Sequence, residues 1–348
     1  MSDCVSLDDH LTAWAAGDRL RDAAAATLRV LATACCELAQ IVASGALAGD
    51  LAARRGAGTG GDVQKELDVR ANDLLVAALR NAPVAAVASE EMDVPLPLAP
   101  GAPILIALDP LDGSSNIDTN VSIGTIFSLL PTPPGGSGAE PTAFLRVGNA
   151  QVAAGYFIYG PQTALVLTVG DGTDIFTLER ASGTFRRTAA GVRVPSHTRE
   201  LAINASNYRH WDPPVRAWFD DCLAGTEGPR GEDFNMRWIA SMVAEAHRIL
   251  MRGGIYLYPG DARQGYRSGR LRLIYEANPI AFVMEQAGAA ASIGRERILD
   301  RVPRALHERV PLVFGSSAEI ERLARYHVEP RPIGERSPLF GQRGLFRA

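Results

Sequence analysis

The stretch Asp109-Pro-Leu-Asp-Gly-Ser-Ser-Asn-Ile-Asp118 comes directly after a short apolar run, Ile104-Leu-Ile-Ala-Leu108. The apolar run is typical of a buried strand, and it predicts that Asp109 and Asp112 lie at the carboxyl end of that strand. The Gly-Ser-Ser that follows lets the backbone approach a ligand closely and offers hydroxyl groups beside exposed N–H groups. Carboxylates hold hard divalent cations, and successive N–H groups hold phosphate. The stretch therefore predicts a site that holds a phosphate ester against Mg²⁺.

Two other interpretations of the ten residues are weaker. Asp-Gly and Ser-Ser pairs are common in turns, so either pair alone would indicate no more than a polar turn after a strand. An EF-hand loop requires oxygen ligands at alternate positions and glycine at the sixth. Here Leu111 occupies the third position and Gly113 the fifth, which excludes that loop.

The composition of the chain excludes several classes of function. The 348 residues are 47% hydrophobic and 21% charged with a net charge of −4, which provides no basic surface for nucleic acid and no polybasic membrane patch. No uninterrupted apolar run approaches the roughly 20 residues of a membrane span. The first residues are acidic where a signal peptide is basic. We therefore expect a cytoplasmic protein with no nucleic-acid or membrane partner.

The first part of the chain predicts a long helix and a glycine-rich loop. Apolar residues recur at intervals of three and four between 20 and 44, and Gly45 ends the helix. The loop at 53–62 contains Gly-x-Gly-x-x-Gly, but a dinucleotide-binding loop requires a preceding strand, and a helix precedes this one. We interpret the segment as a mobile loop beside the functional site.

After a second predicted helix at 67–79, the pattern changes twice. Short strands dominate first, and turns of Gly-Pro and Gly-Asp-Gly between the last three predict an antiparallel meander; the strands lie at 84–87, 104–108, 126–130, 152–158, 165–169 and 175–178. Beyond residue 196, helices at 214–223, 239–251, 279–287 and 318–326 alternate with strands at 255–258 and 313–314. We expect an N-terminal half at 1–195, a C-terminal half at 196–330 and an irregular tail at 331–348.

A longer agreement identifies a family. The ten residues, followed by Val121-Ser-Ile-Gly-Thr-Ile-Phe127, resemble the class I fructose-1,6-bisphosphatases within the inositol-monophosphatase-like group of metal-dependent phosphatases. The wider group shares only a looser Asp-Pro-x-Asp-Gly-x-x-Asn core. The resemblance extends over residues 61–317 and includes Gly61-Asp-Val-Gln-Lys-Glu-Leu-Asp-Val69, Ser89-Glu-Glu91, Val152-Ala-Ala-Gly-Tyr156, Ser241-Met-Val-Ala-Glu-Ala-His-Arg248 and Leu271-Arg-Leu-Ile-Tyr-Glu-Ala-Asn-Pro279.

The resemblance implies a layered αβαβα fold of the α+β class. A mixed, largely antiparallel sheet would form the N-terminal, metal-binding half, and an α/β arrangement would form the C-terminal, sugar-phosphate-binding half. The implied activity is Mg²⁺-dependent hydrolysis of the 1-phosphate of D-fructose 1,6-bisphosphate to fructose 6-phosphate and phosphate. The implied assembly is a homotetramer.

The resemblance also implies a role for each acidic residue. Two or three Mg²⁺ ions per subunit would be held by Glu90, Asp109, Asp112, Glu276 and the backbone carbonyl of Leu111, with Asp62 near a loop-associated ion. Asp68 and Glu91 would orient and deprotonate the attacking water as a general-base pair. An isolated acid of this kind would most often be a solvated surface carboxylate, so the assignment depends on the matched spacing of the whole set.

Substrate contacts are implied in two groups. The reacting phosphate would lie on Asp112 and on the N–H groups of Gly113, Ser114 and Ser115. The second phosphate and the sugar would contact Asn204, Arg237, Met242, Tyr258 and Arg270, with Arg237 reaching in from a neighbouring subunit. Three positions depart from the family: residue 238 is Trp where Tyr is frequent, residue 270 is Arg where Lys is common, and Asn207, followed by Tyr208, stands where a phosphate-binding Tyr is frequent. We interpret His247 as structural.

Three other functions stay open at this point. The site residues do not separate fructose 1,6-bisphosphate from sedoheptulose 1,7-bisphosphate, so a dual bisphosphatase of carbon fixation is a close alternative to a gluconeogenic enzyme. An inositol- or nucleotide-phosphate phosphatase would not need the basic Arg237 and Arg270. A catalytically inactive sugar-phosphate-binding regulator would not need every expected carboxylate.

The residues at the AMP-binding positions of AMP-inhibited members would offer few cationic partners to an adenylate phosphate here. Those members carry a Gly-Thr-Gly-Glu-type loop in the N-terminal helical region, a Lys-Tyr pair before the metal strand and an Arg before Val-Ala-Ala-Gly-Tyr. The corresponding residues here are Arg-Asp-Ala-Ala at 21–24, Pro103-Ile104 and Asn149. We predict weak or no inhibition by AMP in a phosphate-release assay, and potent inhibition at micromolar AMP would contradict this.

Overall fold

Seven α-helices and two large sheets make up the described part of the chain. The structure is a computed structural model that describes residues 5–57, 63–136 and 138–328. The helices are α1 (Leu7–Ala15), α2 (Arg19–Ser44), α3 (Glu66–Leu79), α4 (Pro213–Leu223), α5 (Met242–Arg252), α6 (Asn278–Gln286) and α7 (Ser317–Val328). The strands are β1 (Arg54–Ala57), β2 (Val63–Lys65), β3 (Val84–Ser89), β4 (Leu96–Pro97), β5 (Ile104–Asp112), β6 (Ile123–Pro131), β7 (Ala153–Tyr159), β8 (Thr163–Thr168), β9 (Thr173–Glu179), β10 (Thr184–Ala189), β11 (Glu200–Ile203), β12 (Asn235–Met236), β13 (Ile255–Tyr258), β14 (Leu271–Arg272), β15 (Ala290–Ser292), β16 (Arg309–Val310) and β17 (Leu312–Gly315).

The first sheet has eight strands in the order β10-β9-β8-β7-β6-β5-β3-β4. Strands β3 and β5 are parallel, and the other neighbours in this sheet are antiparallel. The predicted meander is therefore confirmed, and it continues into β10. That edge strand was not predicted, because Phe185 is the one buried residue among its six, so the strand does not form an apolar run.

The second sheet has five strands in the order β12-β11-β13-β17-β15. Strand β11 is parallel to both of its neighbours, whereas β17 is antiparallel to β13 and β15. Helices α5 and α6 lie between the two sheets and contact both of them. Helices α2 and α3 cover the other face of the first sheet, and α7, against which α4 packs, covers the second. The predicted αβαβα layering is confirmed.

Three local predictions differ from the structure. Part of the predicted loop at 53–62 is strand, because β1 pairs antiparallel with β2. Strand β5 does not end at 108 but continues to Asp112 through a bulge between Asp109 and Asp112. The helix predicted from 239 begins at Met242, since Ala240 has φ 62° and cannot belong to a right-handed helix. Helix α1 was not predicted.

One described helix has the length and apolar composition to span a membrane. It is Arg19–Ala48, which includes α2 and the short 3₁₀ turn that follows. The sequence analysis did not single it out, because charged residues interrupt the apolar run. In the structure one face of α2 lies in the core, where Leu28, Leu31 and Leu38 pack under the first sheet.

Gly124 of β6 allows helix α5 to approach the first sheet, and we predict that Gly124→Ala destabilises the fold. An added Cβ would lie 2.2 Å from the carbonyl oxygen of Phe157 and 2.7 Å from Cγ2 of Val243. Overpacking of this kind costs about 3 kcal/mol of unfolding free energy, measurable by urea denaturation. Gly136→Ala is the control, because its added Cβ comes no closer than 3.5 Å to any other atom. Equal stability of the two variants would contradict the packing described here.

Candidate metal and phosphate site

The acidic residues converge because β3 and β5 are parallel. The carboxyl ends of parallel neighbours meet at one edge of a sheet, where ligands commonly bind. Glu90 and Glu91 follow β3, and Asp109 and Asp112 lie at the end of β5. The N–H of Glu90 donates to the carbonyl of Leu108 at 2.9 Å, so the two strand ends stay in register up to the site.

Three carboxylates form a tight cluster. One oxygen from each of Glu90, Asp109 and Glu276 lies within 4.8 Å of the others. Glu276 comes from a π-helical turn, Leu273–Ala277, a rare conformation that is frequent at functional sites. Burial raises the pKa of Asp109 well above its usual range, and the charges of Glu90 and Glu276 raise it further. Burial and the charge of Glu90 also raise the pKa of Glu276 well above its usual range.

Asp112 is held by the start of helix α5. Its Oδ2 accepts hydrogen bonds from the N–H of Val243 at 2.9 Å and from the hydroxyl of Ser241 at 3.3 Å. Burial raises the pKa of Asp112 to about 6, although these bonds act in the opposite direction. Asp109 is fixed within the bulge itself, since its Oδ1 accepts the N–H of Leu111 at 3.0 Å. Both strand-end carboxylates therefore have defined orientations.

Asp68 and Glu91 form the second pair of acids. Asp68, in the first turn of α3, accepts the N–H of Lys65 at 2.7 Å through Oδ2. Among the residues that the structure describes, none donates a hydrogen bond to its buried Oδ1. Burial raises the pKa of Asp68 to about 7, and the charge of Glu91 adds to the rise. The amide of Gln64 donates to Glu91 at 2.7 Å and fixes that carboxylate.

Arg272 is a member of the site that the sequence analysis missed. Its Nη1 lies 3.0 Å from Oε1 of Glu90, and its side chain is 5% exposed. Its backbone N–H donates to Glu276. The only sequence signal was a basic residue four positions before Glu276, which is too common to single out. Gln64 and Ser241 were missed for the same reason, since their roles depend on contacts across the fold.

The acids, Arg272 and Gln64 line one cavity of about 160 Å³. Its lining contains nine of the predicted residues together with Val63, Gln64 and Arg272; the nine are Asp68, Glu90, Glu91, Asp109, Leu111, Asp112, Gly113, Ser114 and Glu276. Ser115 is exposed on the adjoining 3₁₀ turn and does not line the cavity. Asp62 lies outside the described residues. A larger cavity of about 900 Å³ near the end of α2 contains none of the clustered acids.

The residues predicted for the second phosphate lie on or beside separate elements of the chain after residue 200. Arg237 follows β12, is 54% exposed and has Nε 4.0 Å from Glu200. Tyr258 ends β13, and its pKa is raised by burial, lowered by Arg270 and raised again by Glu276. Tyr258 therefore lies near both the basic residue and the acid cluster.

The remaining predicted contacts are fixed by neighbours. The guanidinium of Arg270 lies 4.8 Å from the ring centre of Tyr266 and donates to its hydroxyl at 3.1 Å. Met242 is buried at the start of α5. Asn204 accepts the N–H of Ser206 at 3.2 Å. On α5, burial lowers the pKa of His247.

Comparisons with known proteins agree along the whole chain. Residues 11–190 match the family model "Fructose-1-6-bisphosphatase, N-terminal domain", and residues 194–328 match its "C-terminal domain". The chain is 57% identical to a fructose-1,6-bisphosphatase class 1 of Xanthobacter autotrophicus over 98% of this chain and 92% of that protein. It is 56% identical to the Rhizobium meliloti protein of that name, with 99% of each chain covered. The holo crystal structure of Leishmania major fructose-1,6-bisphosphatase is 32% identical, with a TM-score of 0.86 and coverage of 93% of this chain and 99% of that one.

The acid cluster predicts a specific response to Glu276→Gln. Removing one of the crowded charges stabilises the metal-free protein by about 1 kcal/mol, or roughly 2 °C in the unfolding midpoint. Mg²⁺ raises the midpoint of the wild type and not of the variant, because only the wild type binds the ion tightly. The control is Glu296→Gln, since Glu296 is 71% exposed. An equal Mg²⁺ shift in the wild type and Glu276→Gln would contradict the assignment.

Proposed function

The chain belongs to the class 1 fructose-1,6-bisphosphatases, and we propose that it hydrolyses the 1-phosphate of D-fructose 1,6-bisphosphate with Mg²⁺ held by the acid cluster. The observation that carries this proposal is the convergence of Glu90, Asp109 and Glu276 to within 4.8 Å. Buried carboxylate oxygens are the donors that Mg²⁺ prefers, and their mutual repulsion is relieved by a divalent cation. Asp112 and the carbonyl of Leu111 border the same cavity and would complete the ligand set.

Two or three ions per subunit are part of the proposal. Bound Mg²⁺ would supply positive charge to the phosphoryl and leaving oxygens and would lower the pKa of a water. Asp62 would contact the loop-associated ion. The donor set consists of oxygen atoms alone, which favours Mg²⁺ over softer metals.

Asp68 and Glu91 are the proposed general-base pair. Asp68 has one carboxylate oxygen that accepts the N–H of Lys65 and a second oxygen that is buried, and the residue lines the same cavity as the acid cluster. That second oxygen can accept a proton from the attacking water. The side-chain amide of Gln64 donates a 2.7 Å hydrogen bond to Glu91, and the N–H of Lys65 holds Asp68. Both carboxylates therefore keep their orientation while the proton moves.

The reacting phosphate is proposed to lie on the N–H groups of Gly113, Ser114 and Ser115. Gly113 has φ 81°, a conformation that glycine adopts readily, and it turns the chain from β5 into the 3₁₀ segment that follows. The side chain of Asp112 borders the same turn. Backbone donors of this kind hold an anion without needing a lysine or arginine beside the acid cluster.

The second phosphate is proposed to contact Arg237, Arg270, Tyr258 and Asn204, with the sugar against Met242. Arg237 is 54% exposed, which leaves it accessible to the site of a neighbouring subunit in a homotetramer. Residues 1–195 would then form a metal-binding half, and residues 196–330 would form a sugar-phosphate-binding half. A cytoplasmic location and a role in gluconeogenesis or carbon fixation complete the proposal.

Phosphate release from three substrates tests this function. The substrates are fructose 1,6-bisphosphate, sedoheptulose 1,7-bisphosphate and an inositol monophosphate, each assayed with Mg²⁺ and with a chelator. We expect release from fructose 1,6-bisphosphate with Mg²⁺ and none with chelator. Release from the seven-carbon substrate as well would establish the dual activity. Release from the inositol ester alone, or from no substrate, would contradict the proposal.

Asp68→Asn in the same assay tests the general base. The variant keeps an oxygen for the N–H of Lys65 but loses the proton acceptor, so kcat should fall by roughly 10²–10⁴-fold while KM and the unfolding midpoint stay near wild type. Asp73→Asn, an exposed change on the same helix, is the control. Normal turnover by Asp68→Asn would rule out its role as base.

A further inference from the structure

The turn after strand β3 is bound to a histidine from the last part of the chain. Nε2 of His307 lies 3.0 Å from the carbonyl oxygen of Met92, across 215 positions of the chain. A carbonyl oxygen only accepts hydrogen bonds, so Nε2 carries a proton and is the donor. Met92 comes directly after Glu91 and two residues after Glu90. The bond therefore holds the turn that carries one proposed metal ligand and one member of the proposed general-base pair.

Two further hydrogen bonds shape this turn, and both are local. The N–H of Met92 donates to the carbonyl oxygen of Ser89 at 3.1 Å, and the N–H of Glu91 donates to the Ser89 hydroxyl at 3.2 Å. Their partners are two or three positions apart, so these bonds do not set the distance from the turn to Glu276. The His307 bond ties the backbone of the turn to a separate part of the fold.

His307 and the residue after it also contact the π-helical turn that carries Glu276. The carbonyl oxygen of Glu308 accepts the N–H of Leu273, the first residue of that turn, at 2.8 Å. The ring of His307 packs against Tyr275 of the same turn, with the ring centres 5.3 Å apart. Strands β14 and β16, which flank these contacts, pair with each other. One short segment therefore contacts both of the turns that supply carboxylates to the acid cluster.

These two turns carry charges that repel each other. An oxygen of Glu90 and an oxygen of Glu276 lie within 4.8 Å of each other, and burial strengthens the repulsion between them. Arg272 offsets part of the charge at 3.0 Å from Glu90. A hydrogen bond from His307 to the backbone of the Glu90 turn opposes the separation of the two turns. Loss of such a partner behind the metal ligands typically costs roughly 10- to 100-fold in metal affinity or activity.

We propose that His307 is a positioning residue that holds the Glu90–Met92 turn against the Glu276 turn and so sets the affinity of the acid cluster for Mg²⁺. This proposal rests on the proposed Mg²⁺ site. It assigns the effect to the donor on Nε2, and not to the packing of the imidazole ring on Tyr275.

Two substitutions separate the donor from the ring. In His307→Gln the side-chain amide can take the place of the Nε2–H donor, but the ring is lost. In His307→Phe a ring remains against Tyr275, but no donor is left for the Met92 carbonyl. We expect both variants to unfold roughly 2–4 °C below the wild type in the presence of chelator, because each loses one contact.

The Mg²⁺ affinity should distinguish the two variants. In calorimetric titrations with Mg²⁺, the dissociation constant should rise about tenfold in His307→Phe and stay within about twofold of wild type in His307→Gln. The Mg²⁺ concentration that gives half-maximal phosphate release should shift by the same factors. The control is His197→Ala, an exposed histidine that should bind Mg²⁺ as the wild type does.

Two results would overturn the role of His307. An unchanged dissociation constant in His307→Phe would show that the bond does not affect the metal site. An equal loss of Mg²⁺ affinity in His307→Gln and His307→Phe would assign the effect to ring packing. A contribution to stability alone would lower the unfolding midpoint and leave the dissociation constant of Mg²⁺ unchanged.

Failure of the proposed function gives a different result. Wild-type protein that binds Mg²⁺ but releases no phosphate from fructose 1,6-bisphosphate would overturn the activity, while the dissociation constants would still decide the role of His307. Wild-type protein that binds no Mg²⁺ would overturn the metal site and, with it, the role of His307.

Discussion

The repulsion among buried carboxylates is the constraint on which the site depends. Glu90, Asp109 and Glu276 come from three separate parts of the chain, and their oxygens lie within 4.8 Å of one another. Folding forces these charges together in a place where burial already disfavours ionisation. Arg272 neutralises part of the charge at 3.0 Å from Glu90. The remaining excess negative charge would favour the binding of a small, highly charged cation.

The layered fold supplies the geometry that this constraint requires. The parallel pair β3 and β5 brings two acidic strand ends to one edge, and the bulge in β5 presents Asp109 and Asp112 one after the other. Helix α5, between the sheets, holds Asp112 with the N–H of Val243. The segment just before this helix contains Arg237. The acid cluster and the proposed loop for the reacting phosphate are therefore parts of one packed unit.

Local patterns predicted the meander and the strand-end acids Asp109 and Asp112, whereas the layers and the roles of the other acids were implied by the family resemblance. The edge strand β10 was not predicted, since only one of its six residues, Phe185, is buried. The start of helix α5 was placed too early, because nothing in the local sequence indicates that Ala240 has positive φ.

Long-range partners could not be predicted either. Arg272 and Gln64 act on residues that meet them only after folding, and each is of a common residue type. The acids were identified because the resemblance implies a role for each of them, whereas it implied none for these supporting residues. Physical contacts across the fold, and not local pattern, identify them.

The position of a bound ion tests the central claim most directly. Crystals grown with Mn²⁺ in place of Mg²⁺ would reveal each ion by its anomalous scattering. The account predicts a manganese ion coordinated by Glu90, Asp109 and Glu276, with Asp112 beside it. Manganese bound only elsewhere, with Arg272 still paired to Glu90 in a protein that is active under the same conditions, would contradict the account.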